Sequence, residues 1–188
     1  MTNRYSLIGG KQGIWQVVNI QAIAGAGLAW AERVNVVNQA IAEPPEDSAW
    51  VLHCFTSNIR YATHGELTTL RAIQPPLDRA EAISAVLIPI KKSAQWWDMA
   101  QDERRAIFEE KSHHTAVGLE YLPGVARKLF HCRDLEEPFD FLTWFEFAPE
   151  HTQAFDELLL RMRDSKEWDY VERELEVRLT RSHEFEAG

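Results

Sequence analysis

The chain has 188 residues, of which 45% are hydrophobic and 26% charged, a composition typical of a globular protein with one sizeable core or two small lobes that share one. A formal net charge of −9 and the lack of any basic run argue against a nucleic-acid partner, because phosphate binding requires a basic surface. No stretch approaches the length of a membrane span, and the N-terminus has no basic region followed by an apolar one, so we expect no membrane partner and a cytoplasmic protein.

The first half is predicted to contain a strand, a helix and two more strands. Residues 14–24 are rich in branched side chains and end at a Gly-Ala-Gly turn, which favours a strand followed by a helix at 28–42. Residues 48–61 and 64–73 are then expected to pair as a hairpin. Asn58 and Tyr61 lie at the end of the first of these strands, where loop residues beside a cavity can hold the carboxylate of a ligand. Ordinary turn chemistry explains them equally well.

The second half has a more complete pattern of elements. Apolar periodicity predicts, in order, a strand at 82–92, a helix at 99–117, strands at 125–130 and 141–147, a helix at 149–170 and a strand at 175–180. This βαββαβ order is typical of a ferredoxin-like unit, and the first half resembles the same unit shortened. We therefore predict an α+β protein in which a truncated half, 1–80, and a complete half, 81–188, form a barrel-type core with the pocket in the second half.

The strand that begins at Val125 places a cation among apolar neighbours. Arg127 shares a face with Val125 and Leu129, and a buried cation usually has an anion or a carboxylate to meet. The return strand presents one hydroxyl and three aromatic rings on one face, at Phe141, Thr143, Phe145 and Phe147. The two strands together predict a dry pocket with one fixed positive charge.

Two further polar side chains are candidates for the same pocket. Lys92 has the parity of Ile88 and Ile90, which predicts that it points inward, although a solvated strand end is an equal alternative. His114 follows Ile107 by seven residues and is expected on the packing face near the end of the helix. A lone inward His is more often a hydrogen-bonded core residue than a ligand.

The two cysteines, Cys54 and Cys132, are far apart in the sequence and lie in strand-like apolar stretches. We expect two buried thiols and not a disulfide.

The second half carries an ordered series of residues, in chain order Lys92, Trp96-Trp97, His114, Arg127, Thr143-Trp144-Phe145 and Glu167. This series resembles the chlorite dismutase family, haem b proteins in the same structural superfamily as dye-decolourising peroxidases, and the short chain is similar to its truncated, dimeric branch. The resemblance implies an oxidoreductase that converts chlorite to chloride and dioxygen with formation of the O–O bond. It also implies a homodimer.

The resemblance assigns a role to each candidate. It implies one non-covalent haem b per chain, with iron held by His114, and the absence of a C-x-x-C-H motif agrees with non-covalent binding. Glu167 and Lys92 match the family's acidic and basic partners of the iron ligand, whereas spacing alone does not select Glu167 over Glu157 or Glu172. Arg127 is the implied catalytic residue. The other implied cofactor contacts are Asn58, Tyr61, Gln74, Trp96, Leu129, Thr143 and Phe145, with Gln74 expected to hydrogen-bond the Arg.

Several alternatives compete with this function. Coproporphyrin-haem decarboxylases share the proximal His but are generally longer and lack the distal Arg. Dye-decolourising peroxidases carry a G-x-x-D-G motif, which is absent here, and a peroxidase needs a distal base, which we do not expect beside Arg127. In a cofactor-free, ferredoxin-like dimeric binding or monooxygenase module, Arg127 and Glu167 would form a structural ion pair and His114 would belong to the core.

Overall fold

A computed structural model of the chain describes residues 3–56 and 61–182. Eight strands form a closed antiparallel barrel in these residues. The strands are β1 (Arg4–Gly10), β2 (Trp15–Ala24), β3 (Arg33–Val37), β4 (Ser48–Phe55), β5 (Ser84–Lys92), β6 (Val125–His131), β7 (Phe141–Phe147) and β8 (Val171–Arg181).

The order of strands around the barrel is β1-β3-β2-β8-β5-β7-β6-β4. Within each half of the chain, the fourth strand therefore lies beside the first, the first beside the third, and the third beside the second. The halves join along β2 and β8, and again through the pairing of Phe55 in β4 with His131 in β6. The expected α+β architecture and barrel-type core are confirmed.

Five α-helices accompany the barrel in the described part of the chain: α1 (His64–Ile73), α2 (Ala94–Asp98), α3 (Gln101–Arg105), α4 (His114–Glu120) and α5 (Thr152–Arg163). The residues expected to be buried on the last helix, Phe155, Leu158, Leu159 and Met162, are all buried and pack on the outer face of the second-half sheet. Each such apolar side chain contributes roughly 1.5–3 kcal/mol by leaving water. None of these helices is long and apolar enough to cross a membrane.

The barrel interior is filled by side chains of alternate parity. Leu142 and Trp144 of β7 point into it, and the ring of Trp144 meets that of Trp15 edge-on with centroids 5.5 Å apart. Cys54 and Cys132 belong to the same core and are free, as expected. Burial raises the pKa of the Cys54 thiol to about 12, so it stays protonated at neutral pH.

Two predictions for the first half are wrong. The expected helix at 28–42 is replaced by β3, because Val34 and Val36 are β-branched and pair with β1, a strand that the sequence analysis missed. The expected strand at 64–73 is the helix α1. Its start carries a capping box, in which the Thr63 side chain accepts the Glu66 N–H and the Glu66 carboxylate accepts the Thr63 N–H.

The long helices of the second half are broken. The expected helix at 99–117 consists of α3, a π-helical segment at Ala106–Lys111 and α4, so His114 begins a helix and does not close one. The helix predicted at 149–170 ends at Arg163, and the residues Lys166–Tyr170 form a separate 3-10 turn that carries Glu167. Both breaks lie beside the same cavity.

Helix α1 buries none of its residues completely, so its position depends on a few polar contacts. The guanidinium of Arg105 donates to both carboxylate oxygens of Glu66 at 3.0 and 2.9 Å, and this holds the pKa of Glu66 at about 2. We expect Glu66→Gln to increase hydrogen exchange of the α1 amides about two- to fivefold at pH 7, as for a partly exposed ion pair.

The pH dependence follows from the lowered pKa. The contribution of the pair is complete above the ordinary carboxyl value of 4.5 and is lost as the pH falls towards 2. The difference between Glu66→Gln and wild type should therefore shrink over that range. Glu81→Gln, which removes the partner of Arg79 and no contact of α1, is the control. Unchanged α1 exchange in Glu66→Gln would contradict this account.

Candidate active site

A cavity lies between the outer face of β5, β6 and β7 and the helices that cover it, and it opens to solvent at its mouth. Helix α1 borders it through Leu70, α4 through His114, and α5 through Leu158 and Met162. Most of its walls are apolar, so the few polar side chains that reach it are the candidates for chemistry.

The β6–β7 pair forms one wall with the predicted alternation. In the register of the two strands, Arg127 stands opposite Phe145 and Leu129 opposite Thr143. All four residues border the cavity. The alternation predicted from the sequence therefore places one cation, one hydroxyl and apolar surface on the same wall.

Lys92 ends β5 just after a register shift and points inward, as its parity predicts. It is only 4% exposed. Its Nζ donates to Glu167 Oε1 at 2.8 Å and lies 4.6 Å from the centre of the Trp96 ring. The solvated alternative for Lys92 is therefore wrong.

His114 reaches the cavity from the first residue of α4. Its ring stacks on Phe108, with centroids 4.2 Å apart, and faces Trp168 on the other side at 6.4 Å. Its Nδ1 lies 2.7 Å from Glu167 Oε2. Because an ionised carboxylate can only accept, Nδ1 donates this bond, and Nε2 is left to carry the lone pair that a metal requires.

The carboxylate of Glu167 connects Lys92 and His114. It is 5% exposed and accepts from both Lys92 and His114. Burial alone would raise its pKa, but the charges of His114 and Lys92 and their hydrogen bonds hold the pKa of Glu167 at about 2. The group is therefore a carboxylate across the working pH range, and its hydrogen bond increases the electron density on the His114 ring.

Arg127 has a different environment. No carboxylate of the described residues lies within ion-pair distance of its guanidinium, so the Arg127–Glu167 pair expected for a cofactor-free module is wrong. Burial lowers the pKa of Arg127 and the charge of Glu167 opposes that shift. A guanidinium keeps its proton nonetheless, so the cavity wall holds a permanent positive charge.

The remaining predicted contacts are distributed unevenly. Trp96 is buried beside the cavity, and its indole Nε1 has no hydrogen-bond partner among the described residues. Tyr61 borders the same region, with its ring 6.0 Å from that of Trp96. Asn58 lies outside the described residues. A buried N–H without a partner is costly, which indicates a ligand acceptor at this end of the cavity.

The Gln74 contact differs from the expectation. Within the described part of the chain, Gln74 Nε2 donates to the backbone carbonyl of Arg127 at 2.7 Å and not to an atom of the guanidinium, which has no acceptor. The bond therefore fixes the end of α1 to β6. Gln74 also borders the cavity.

Three residues that contribute to the site were not predicted from the sequence. His131 continues the face of Val125, Arg127 and Leu129, so alternation alone could have found it, and it borders the cavity. It lies four residues from Arg127, about 13 Å away along the strand, at the far end of the same wall. Helical periodicity did not point to Phe108 or Ser112, because the π-helical segment turns their side chains away from the directions that a regular α-helix would give.

Metal-binding capacity rests on one imidazole. Across residues 3–56 and 61–182, no three His, Cys, Asp or Glu side chains come together as a metal cluster. A His whose second ring nitrogen is held by a carboxylate is an arrangement that metal-binding imidazoles use. The fold and the site thus define an antiparallel α+β barrel with a mostly apolar cavity on its outer face, bordered by a carboxylate-held imidazole and a guanidinium.

Comparison with known proteins agrees with this class. The family model described as chlorite dismutase matches residues 39–182. A crystal structure of dimeric chlorite dismutases from Nitrobacter winogradskyi superposes with a TM-score of 0.87 and 47% identity, covering 95% of this chain and 99% of that one. The chain belongs to the chlorite dismutase family.

Two further relatives have lower sequence identity to this chain. Chlorite dismutase from Ideonella dechloratans is 36% identical over 86 residues, which are 46% of this chain and only 28% of that relative. Chlorite dismutase from Candidatus Nitrospira defluvii, solved in complex with imidazole, has a TM-score of 0.66 at 20% identity and covers 94% of this chain and 91% of its own. That likeness concerns the fold alone.

Loss of the Glu167 charge should destabilise the fold, since this carboxylate is the buried counter-ion of Lys92. In haem-free protein at pH 7, we expect Glu167→Gln to lower the free energy of unfolding by about 3–5 kcal/mol, because Lys92 is left buried without a counter-ion. Urea denaturation measures this. In the wild type, the contribution of the Glu167 carboxylate to the free energy of unfolding is complete above the ordinary carboxyl pKa of 4.5 and is lost as the pH falls towards 2.

Two variants control this experiment. Glu172→Gln removes an exposed partner of Lys91 and should cost less than about 1 kcal/mol. Adding Lys92→Met to Glu167→Gln should recover much of the loss, since no buried charge remains unpaired. Equal losses in Glu167→Gln and Glu172→Gln would contradict the role assigned to burial.

Proposed function

We propose that the protein is a haem b oxidoreductase that converts chlorite to chloride and dioxygen. The observation that carries the proposal is the presence, in one apolar cavity, of an imidazole held by a buried carboxylate and of a guanidinium without a carboxylate partner among the described residues. Membership of the family and the likeness to the Nitrobacter enzymes support it.

The residues present fit a non-covalent haem. The Nε2 of His114 and the indole Nε1 of Trp96, which has no partner among the described residues, border the same apolar cavity and suit a porphyrin that needs one nitrogen ligand and a donor for a propionate. Tyr61 and Asn58 are proposed to hold the propionate end with Trp96. Both cysteines are buried in the barrel core, away from this role, which supports b-type binding with one haem per chain.

His114 is proposed to hold the iron through Nε2. Glu167 keeps Nδ1 as the donor and so fixes the ring orientation and the tautomer, while Lys92 keeps Glu167 ionised. The bound iron would supply oxygen-atom transfer from chlorite and formation of the O–O bond.

Arg127 is proposed as the catalytic residue on the opposite wall. Its charge attracts an anion into a protein of net charge −9, and at about 4 Å an effective dielectric near 20 gives roughly 4 kcal/mol of attraction. The same charge limits the escape of a chlorine oxyanion before the O–O bond forms. Leu129, Thr143 and Phe145 complete a mostly apolar wall that excludes water, and Gln74 fixes the backbone of Arg127.

The competing functions have less support. A peroxidase needs a base beside the reacting oxygen. The described residues next to Arg127 on its wall are Leu129, Thr143 and Phe145, none of which is a base at neutral pH, and His131 lies four residues further along β6. A decarboxylase does not explain a fixed distal cation.

We also propose how the fold divides into units and how the chain assembles. We infer two ferredoxin-like units, 1–80 shortened and with no helix between its described strands, and 81–188 complete and haem-binding, because the strand order is the same in both halves. A homodimer is proposed because the Nitrobacter relatives are dimeric chlorite dismutases. The cytoplasmic location stays a prediction.

The direct test is an oxygen-electrode trace on haem-loaded protein with chlorite. Wild type should evolve oxygen, and Arg127→Ala should lose about 100-fold or more in kcat/KM, given the size of the electrostatic attraction. Arg127→Lys, which keeps the charge and loses the planar fork, should retain an intermediate rate. The Soret band reports that haem is still bound in each variant. Equal turnover in Arg127→Ala would remove Arg127 from the mechanism.

The haem fit can be tested without turnover. Trp96→Phe removes only the indole N–H and keeps an aromatic ring, so we expect haem affinity to fall about tenfold or more, as for loss of a hydrogen bond to a charged group. Haem transfer to an acceptor protein measures the change. His114→Ala, which should lose tight binding, is the positive control. An unchanged affinity in Trp96→Phe would show that its N–H does not meet the cofactor.

A further inference from the structure

We propose that Glu109 is a positioning residue, which presets the ring of His114 for a metal by closing the break between the π-helical segment and α4. The inference rests on the proposed function only in taking His114 as the iron ligand. Glu109 neither borders the cavity nor contacts the ring, so it acts through the backbone that carries His114.

The break has an unusual backbone. Ser112 N donates to Ile107 O at 3.1 Å, an i to i−5 bond of the π-helical type. The next residue, His113, has φ of 52°, a left-handed conformation that costs a non-glycine residue about 1–3 kcal/mol. Surrounding contacts must therefore hold this conformation, which turns the chain so that residue 114 begins a new helix.

Glu109 supplies the contacts that close the break. Its Oε2 accepts the Thr115 N–H at 2.7 Å and its Oε1 lies 3.4 Å from the Ala116 N–H. The first amides of a helix have no partner within the helix, and the His113 side chain caps none of them. Glu109 therefore does what a cap residue does, from five residues before α4 begins.

The same short segment holds the other groups around the ring. Phe108 stacks on His114 at 4.2 Å, and Ser112 Oγ accepts the Glu167 N–H at 2.8 Å. The ring plane, the backbone and the carboxylate partner of His114 are thus each fixed by a residue of 108–112. Of these contacts, only those of Glu109 fix the start of α4 itself.

This arrangement has a consequence for ligand binding. A ring that is ordered before the metal arrives loses little conformational freedom on binding, so affinity and a single ligand geometry both benefit. Without Glu109 the amides at the start of α4 lose their acceptor. Fewer contacts then hold His113 in its strained left-handed conformation, so the backbone there can relax to another one.

The test compares Glu109→Ala, Glu109→Gln and the control Glu110→Ala, an exposed neighbour in the same segment. Each haem-loaded protein is measured by resonance Raman for the ferrous Fe–His stretch and by haem transfer to an acceptor. Glu109→Ala should broaden or shift the stretch and speed haem loss about tenfold, as when outer partners of a ligand are removed. Glu109→Gln should keep the Fe–His stretch and the rate of haem loss close to the wild-type values, because an amide oxygen still accepts the Thr115 N–H. Glu110→Ala should match wild type.

A haem-free measurement separates this inference from the proposed function. In apoprotein, the Nδ1 proton of His114 held by Glu167 should give a slowly exchanging NMR resonance, which Glu109→Ala should weaken or abolish. Failure of wild type to show a Soret band after haemin addition would defeat the proposed function, and this resonance would still decide whether Glu109 orders the ring. A wild-type resonance and Fe–His stretch in Glu109→Ala, or equal changes in Glu110→Ala, would overturn the inference.

Discussion

The site depends on one buried carboxylate that is shared by two donors. Glu167 would be too costly to ionise at 5% exposure without Lys92 at 2.8 Å and His114 at 2.7 Å. Its backbone N–H is in turn held by Ser112. Through these bonds the end of β5, the π-helical break, the start of α4 and the turn after α5 meet at a single charged group. Removal of Glu167 leaves Lys92 buried without its counter-ion, and removal of Lys92 takes away the cation paired with Glu167, so the geometry of His114 is linked to the stability of the second half.

The alternation of strand side chains separates two compartments that lie back to back. Arg127 and Lys128 are adjacent in the sequence, yet Arg127 borders the cavity while Lys128 reaches Tyr5 of the barrel core, where its Nζ donates to the Tyr5 hydroxyl at 2.8 Å. The barrel interior is closely filled by aromatic and branched side chains of the described residues. The cavity lies on the outer face, between the sheet and the helices.

The charges in the cavity are arranged asymmetrically. Lys92 is neutralised by Glu167, which leaves its effect mainly on the basicity of His114. The guanidinium of Arg127 has no carboxylate partner among the described residues and is surrounded by apolar surface, so its field is weakly screened. A small anion is therefore favoured at one point of a protein that otherwise repels it. This asymmetry is the physical basis for preferring chlorite chemistry over proton-dependent peroxide chemistry.

Some properties of this protein were determined by the sequence by itself. Strict alternation in 125–131 and 141–147 was sufficient to place Arg127 opposite an aromatic wall, because the side-chain period of a strand depends on little else. The identities of Glu167 and Trp96 came from the family resemblance, since spacing left other acidic residues open. Tertiary structure alone decided that 33–37 pairs with β1 as a strand and that the helix breaks before His114. The strand depends on a partner distant in the chain, and the break depends on polar contacts of Glu109 and Ser112 that apolar periodicity does not reveal.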